Sequence, residues 1–169
     1  MKAIHRYIFQ DVYEWAGQER VGPVGSFMTK MGPDVVHYPI GDPAAPQVPY
    51  QYYPAGPVLT AAAEEQYRRL AAKDLLRGLD HSTFTRELAE VWGELNVVHS
   101  FREGNTRSQF VFFSQLTEQA GWKLDPNYFA PDTPGSDEFM AARFYSQATG
   151  SNTWLAAVLA PAIIPRYSA

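Results

Sequence analysis

The chain has 169 residues, of which 46% are hydrophobic and 19% are charged, with 13 prolines, 12 glycines and no cysteine. This length suits one domain with its own core, and the composition excludes a disordered chain, a collagen-like repeat and a disulfide-rich scaffold. The absence of cysteine excludes thiol nucleophiles and zinc sites built on cysteine pairs. The net charge of −4, with no basic run longer than two residues, predicts that nucleic acid is not a partner.

The longest apolar run, residues 154–164, is interrupted by Pro161 and is shorter than the roughly 20 residues that a membrane-spanning helix needs. The first residues carry charges, and no apolar signal core follows them. We therefore expect a cytoplasmic protein that does not bind a membrane.

The beginning of the chain has a helical pattern. Apolar residues recur at helical spacing as far as Trp15, and Gly17 stands where a helix typically ends. The pattern predicts a first helix that continues almost to Gly17. The apolar positions are Ile4, Tyr7, Ile8, Val12 and Trp15.

Residues 31–58 contain seven of the 13 prolines and four of the ten tyrosines. Proline removes amide donors and fixes φ, so a helix cannot continue through this segment, whereas tyrosine favours extended chain. We predict a long loop that carries an irregular hairpin. Such a loop is either a functional element or a surface excursion that merely packs its tyrosines.

The rest of the chain favours helices joined by short links. Residues 84–98 have the spacing of a helix that is buried along its length, with Asp80 or Ser82 as its N-cap. Further helices are predicted before Gly78, from about residue 105 to Gly121, after Ser136 and after Ser151. We predict an all-α fold: a compact bundle of about six or more helices around the central buried one, with one proline-rich insertion over about residues 27–58.

The segment 99–110, HSFREGNTRSQF, lies in the short break between two of these predicted helices. Each residue has an ordinary interpretation by itself: a helix-end histidine, a surface ion pair, a Gly-Asn turn. Together they provide a general base, a hard oxygen ligand for Mg²⁺, free amides at a helix start and an arginine suited to phosphate. This combination predicts a diphosphate-binding site beside a deprotonating group.

The same segment resembles the signature of the Fic (filamentation-induced-by-cAMP) family, H-P-F-x-[D/E]-G-N-G-R-x-x-R. Residues 2–17 and the closing helices are similar to other parts of that family, so the resemblance extends over nearly the whole chain as one domain, 1–169. It implies an α-helical enzyme that uses ATP with Mg²⁺ and transfers AMP to a Ser, Thr or Tyr hydroxyl of a target protein. The residues that match the signature are His99, Phe101, Glu103, Gly104, Asn105 and Arg107.

The resemblance also implies a role for each motif residue. His99 is expected to deprotonate the incoming hydroxyl, Glu103 to hold Mg²⁺ and Phe101 to lie in the core. Asn105 is expected at the α-phosphate and Arg107 at the β-phosphate. The nucleotide-binding residues as a set are Gly104, Asn105, Thr106 and Arg107.

The proline-rich insertion falls where the family has its flap, a hairpin that holds the target segment as an added strand. The flap residues that we select are Tyr50, Gln51, Tyr52 and Tyr53. The resemblance implies a toxin-like or signalling protein. The candidate partners are then a target protein and a separate inhibitory antitoxin chain. Delivery of the protein into another cell is compatible with this resemblance.

The chain departs from the family pattern at Ser100, at Thr106 and above all at Phe110, where a second arginine is usual. A phenyl ring cannot donate to a phosphate, so we expect Phe110 to turn into the core and the outer phosphate to be held loosely. The alternative is that the ring lines the pocket mouth and excludes the third phosphate. Two alternatives to AMP transfer remain open from the sequence. One is transfer of a γ-phosphate or of another nucleotide by the same site, and the other is a binding module whose catalysis has decayed.

Overall fold

The computed structural model describes residues 1–23 and 25–166; residue 24 and the last three residues of the predicted domain lie outside the described part. The described residues form six helices and two small sheets, which confirms the predicted helical fold with one hairpin. The helices are α1 (Lys2–Phe9), α2 (Pro57–Ala72), α3 (His81–Val98), α4 (Asn105–Gln119), α5 (Pro134–Thr149) and α6 (Thr153–Leu159). The strands are β1 (Phe27–Pro33), β2 (Gln47–Pro54), β3 (Trp122–Leu124) and β4 (Ile163–Pro165), and short 3₁₀ turns lie at Asp74–Leu76, Pro126–Phe129 and Ala160–Ala162.

Helix α3 is the central element, as the apolar spacing predicts. Asp80 is its N-cap and accepts a hydrogen bond of 3.0 Å from the amide of Thr83. The helix packs against α2, α4, α5, α6 and β2. Its fully buried side chains include Phe84, Leu88, Trp92, Leu95 and Val98. This central packing fixes the end of α3, where the 99–110 segment begins.

The first helix is shorter than predicted, because α1 ends at Phe9 instead of continuing towards Gly17. The amide of Tyr13 still bonds to the carbonyl of Phe9, but the rings of Tyr13 and Trp15 stack with centroids 4.3 Å apart. Residues two apart do not face each other on a helix, so this stacking requires an irregular turn. The amide of Gly17 then bonds to Nδ1 of His5, which holds the turn back against α1.

The proline-rich insertion is an antiparallel hairpin of β1 and β2, in which Lys30 pairs with Tyr50 and Gly32 with Val48. Gly32 lies so close to α5 that a Cβ atom there would be 2.9 Å from the ring of Phe144. The ring of Tyr50 also packs on Phe144, with centroids 4.3 Å apart. These contacts hold the hairpin on α5, over the end of α3.

Strands β3 and β4 pair antiparallel near the end of the described chain. No helix within residues 1–23 and 25–166 is both long and apolar enough to cross a membrane.

Candidate active site

The break between α3 and α4 is a tight turn bounded by two residues in the left-handed region. His99 ends α3 with φ 49° and ψ 58°, and Gly104 precedes α4 with φ 77°. Between them, Phe101 is fully buried, as the resemblance implies, and its ring stacks on that of His5 at 3.9 Å. The turn therefore brings the end of one helix and the exposed amides of the next to the same place.

Asn105 closes this turn from inside. Its Oδ1 accepts from the amide of Phe101 at 2.9 Å, and its Nδ2 donates to the carbonyl of Phe101 at 2.7 Å. The residue is 4% exposed. One N–H of the side-chain amide stays available for a ligand, because each amide nitrogen carries two donors.

His5 holds the same turn from the side of α1, a role for which the sequence alone gave no signal. The amide of Gly17 donates to Nδ1 at 2.9 Å, so Nε2 carries the proton and donates to the carbonyl of Glu103 at 3.1 Å. The fully buried His5 ring therefore joins α1, the turn before Gly17 and the motif.

Arg20 joins the motif to the flap. Its backbone amide donates to the carbonyl of Ser100 at 2.8 Å, and its Nε donates to the carbonyl of His99 at 2.8 Å. Its guanidinium also donates to the carbonyl of Tyr53 in β2. This buried arginine satisfies carbonyls that the end of α3 leaves free, and it fixes β2 above His99.

The imidazole of His99 is buried, and neither ring nitrogen has a hydrogen-bond partner among the described residues. The ring of Tyr52 lies against it, with centroids 4.2 Å apart. Burial lowers the pKa of His99 to about 3, and the positive charges of Lys30, Arg143 and Arg20 add to this shift. The imidazole is therefore neutral at pH 7 and has a free lone pair.

This shifted pKa makes stability depend on pH. The unfolded chain binds a proton at His99 below about pH 6.5 and the folded chain does not until about pH 3, so acidification through that window favours unfolding. We expect the free energy of unfolding to fall between pH 7.5 and pH 4.5 by about 2.7 kcal/mol more in the wild type than in His99→Asn. Urea unfolding at both pH values measures this difference. An equal fall in both proteins would contradict the pKa assignment.

A pocket of about 350 Å³ opens beside His99, between the flap, the ends of α3 and α4, and α5. Tyr52 and Lys30 line the pocket from the flap, Thr106 lines it from α4 and Arg143 lines it from α5. Burial lowers the pKa of Lys30, while the nearby carboxylate of Glu103 opposes that shift. The sequence reasoning missed Lys30 and Arg143, because neither belongs to a motif.

Glu103 and Arg107 lie at the outer rim of this site, on the more exposed side of the turn. Oε1 of Glu103 accepts from the amide of Gly104 at 3.0 Å and lies 3.9 Å from the guanidinium of Arg107. Arg107 in turn lies over the ring of Phe9, 4.6 Å from its centroid. Both charged side chains are about 60% exposed, so they can turn towards a ligand without first breaking a buried contact.

Of the four selected flap residues, Tyr50 and Tyr52 are buried, Tyr53 is half-buried and Gln51 is exposed. Tyr50 and Tyr52 point inward, and Tyr50 donates its hydroxyl proton to the carbonyl of Pro33 at 2.7 Å. Gln51 is exposed, but its carbonyl accepts from the side chain of Gln147 in α5. Of the four, Tyr52 contacts His99 directly.

Phe110 packs against the core, as expected from its spacing, and also reaches the pocket wall. Its ring centroid lies 5.2 Å from Trp92 and 5.3 Å from both Phe129 and Phe139. The ring that replaces the usual second arginine is therefore held by aromatic contacts on several sides.

Comparison with known proteins places the chain in a family. The Fic/DOC family matches residues 1–117, and the chain belongs to that family. It is 35% identical over 131 residues to a probable protein adenylyltransferase, y4lH, of Sinorhizobium fredii, covering 77% of this chain and 57% of that protein. It is 36% identical over 125 residues to the protein adenylyltransferase VbhT of Bartonella schoenbuchensis, covering 74% of this chain and 22% of that protein. The chain thus spans little more than half of one relative and about a fifth of the other.

The fold also matches a solved structure. The BepC protein of Bartonella tribocorum, crystallised with bound AMPPNP, superposes with a TM-score of 0.72 at 22% identity. The match covers 98% of this chain and 73% of that one. At 22% identity, this structural likeness is evidence for the fold alone.

Proposed function

We propose that this chain transfers AMP from ATP to a hydroxyl group of a target protein, with His99 as the general base. The observation that carries this proposal is the neutral imidazole of His99, which lines a positively charged pocket beside the start of α4 with both ring nitrogens unpartnered among the described residues. A neutral imidazole has the free lone pair that a general base needs, and the negative phosphates of a bound nucleotide oppose the positive charges that lower its pKa. The relatives named as adenylyltransferases support the same reaction.

The proposed reaction forms one bond to the α-phosphorus of ATP and breaks another. The target hydroxyl loses its proton to His99 while its oxygen bonds to the α-phosphorus of ATP. The bond from that phosphorus to the bridging oxygen breaks, and pyrophosphate leaves with the electron pair. Positioning and charge stabilisation supply most of the catalysis in such transfers.

The start of α4 is the proposed phosphate cradle. The left-handed φ of Gly104 turns the first free amides of the helix, at Thr106 and Arg107, outward for an anion. The free N–H of Asn105 adds one donor for the α-phosphate, and Arg107 adds a planar cation for the β-phosphate. We place this site and the flap within one domain, 1–169, since one core cluster includes residues from Leu70 to Ile163 and the flap packs on Phe144 of α5 through Gly32 and Tyr50.

Glu103 fits a magnesium ion that enters with the nucleotide. One of its oxygens bonds to the amide of Gly104, and the side chain is about 60% exposed. The described residues contain no group of three or more His, Cys, Asp or Glu side chains that could hold a metal ion, so we assign the rest of the shell to phosphate oxygens and water. Mg²⁺ is commonly bound in this way, and it neutralises phosphate charge.

Glu103→Gln tests the metal role. The amide can still accept from Gly104, but it has no charge for Mg²⁺, so we expect ATP affinity to fall about tenfold with Mg²⁺, or about 1.4 kcal/mol, and little without it. Calorimetry with and without Mg²⁺ measures both affinities. Glu118→Gln, which makes the same charge change at the other end of α4, is the control. Equal losses in the two conditions would favour a simple surface pairing with Arg107.

We assign the target-binding edge of the flap to β1. The outward carbonyls of Gln51 and Tyr53 in β2 are already bound by Gln147 and Arg20. Met31 of β1 pairs with Pro49, which has no amide proton, so the main chain of Met31 points away from β2. A target segment is therefore expected to pair along β1 by main-chain hydrogen bonds.

Met31→Pro tests this edge. Proline removes the outward amide but is tolerated on an edge strand, so we expect target labelling to fall at least about tenfold with ATP affinity unchanged. Met31→Ala keeps the amide and serves as the control. Equal losses in the two variants would show that the side chain of Met31, and not its main chain, recognises the target.

The experiment for the reaction itself compares ATP labelled at the α- or the γ-phosphate, incubated with the protein and a cell extract. AMP transfer predicts bands labelled only from the α-position. Bands labelled only from the γ-position would establish phosphate transfer instead, and an absence of bands with either label would favour a binding module.

The proposed cellular location of this reaction is the cytoplasm. An inhibitory antitoxin chain is a second proposed partner, which co-purification would test.

A further inference from the structure

Arg143 of α5 has an unusual environment within the pocket. Its Nε donates to Oδ1 of Asn96 at 2.9 Å, with a second hydrogen bond from Nη2, and its Nη1 donates to Oγ1 of Thr106 at 3.3 Å. Its guanidinium lies over the ring of Phe139, 5.2 Å from the centroid. Asn96 is 3% exposed, so the group that orients this arginine is itself fixed.

The charge of Arg143 has no counterpart in the described part of the protein. Neither Arg143 nor Lys30 forms an ion pair with a carboxylate within residues 1–23 and 25–166. Arg143 is half-buried in the pocket wall, and burial lowers the pKa of its guanidinium to about 10. Placing two cations in a partly dry pocket without an anion is unfavourable, so this arrangement indicates an anionic ligand.

The geometry also leaves donors for that ligand. A guanidinium has five N–H groups, and the contacts with Asn96 and Thr106 use three of them. The remaining two lie on the terminal nitrogens, where they can form the paired contact that arginine makes with phosphate. The contact with Thr106 places them beside the start of α4, next to the proposed phosphate cradle.

We propose that Arg143 binds the outer phosphates of the nucleotide and so takes the part that an arginine at position 110 plays elsewhere in the family. This inference rests on the proposed nucleotide site but not on the transfer reaction. In this assignment, the guanidinium that binds the outer phosphates belongs to α5 instead of α4. The outer phosphate is then held firmly, in contrast to the loose contact that Phe110 predicts from the sequence.

Phe110 has a part in this arrangement. Its ring contacts Phe139 at 5.3 Å, and Phe139 contacts the guanidinium of Arg143. An aromatic residue at position 110 therefore supports the ring on which Arg143 rests. Phe110 and Arg143 therefore belong to one phosphate-binding site, in which Phe110 supports Phe139 and Phe139 supports Arg143.

Calorimetric titration with ATP and with AMP tests the proposal. For Arg143→Gln we expect ATP affinity to fall about 10- to 100-fold, because a charge-assisted paired contact is lost, and AMP affinity to change less than about threefold. Arg77→Gln is the control, because Arg77 is a surface arginine that pairs with Asp74 away from the pocket. Equal losses for ATP and AMP, or no loss for ATP, would overturn the proposal.

Arg143→Lys covers the case in which Arg143→Gln disturbs Asn96 and weakens the fold, because lysine keeps the charge but cannot form the paired contact, and we expect it to lose ATP affinity as well. The thermal unfolding midpoint of each variant is measured beside its ATP affinity. The double variant Phe110→Arg with Arg143→Gln returns an arginine to α4, and we expect it to recover most of the lost ATP affinity. A double variant that binds ATP no better than Arg143→Gln would count against the proposal that Arg143 of α5 replaces an arginine of α4.

If Arg143→Gln lowers ATP affinity but no AMP transfer is found, the proposed reaction fails alone. If transfer occurs and ATP affinity does not depend on Arg143, this inference fails alone.

Discussion

His99→Asn is expected to lower AMP transfer by about 10²–10⁴-fold, the range typical for loss of a general base. The asparagine amide cannot accept the hydroxyl proton, so the attacking oxygen must lose it to water. Asparagine is preferable to alanine here because His99 has φ 49°, a left-handed conformation that asparagine tolerates well. The initial rate of labelling from α-labelled ATP measures the effect.

Two further measurements separate catalysis from folding in this variant. ATP affinity should stay within a few-fold of the wild type, because the phosphates are assigned to α4 and Arg143. The thermal unfolding midpoint at pH 7.5 should change little, since both nitrogens of the His99 ring lack partners among the described residues of the folded protein. Undiminished transfer by the folded variant would refute the role of His99.

Gly104→Ala is expected to lose about 2–6 kcal/mol of stability, since strain at positive φ and overpacking each cost about 1–3 kcal/mol. The glycine has φ +77°, and a Cβ atom there would be 2.4 Å from the ring of Phe9. Relief of this overlap would push apart α1 and the start of α4. ATP binding should then fall as well, because the amides of α4 lose their alignment.

Gly150→Ala is the matched control for this variant. Gly150 has φ +73°, but a Cβ atom at this position would have no described atom within 4 Å, so the substitution carries the strain without the overlap. Urea unfolding should show a clearly larger loss for Gly104→Ala than for Gly150→Ala. Equal losses would mean that Phe9 moves aside freely and that backbone conformation alone requires the glycine.

Local sequence patterns predicted the helices and the motif well. The apolar spacing of residues 84–98 identified the central helix, because a helix buried along its length must present apolar residues at that spacing. The prolines excluded a helix from the flap because each lacks an amide donor, and the hairpin was confirmed. By contrast, Gly17 did not mark the end of α1, because the long-range bond from its amide to His5 determines that turn.

The sequence by itself therefore determined the family and the helical architecture, and it predicted a site at His99 and the residues around it. These features depend on spacing within a few turns of chain, which a single sequence displays directly. Only the tertiary structure showed that Arg20, Lys30 and Arg143 lie around His99, that burial lowers the pKa of its imidazole, and that Gln147 and Arg20 bind the carbonyls of Gln51 and Tyr53 in β2. Those properties arise from charges and contacts between segments up to about 120 residues apart, and no local pattern records them.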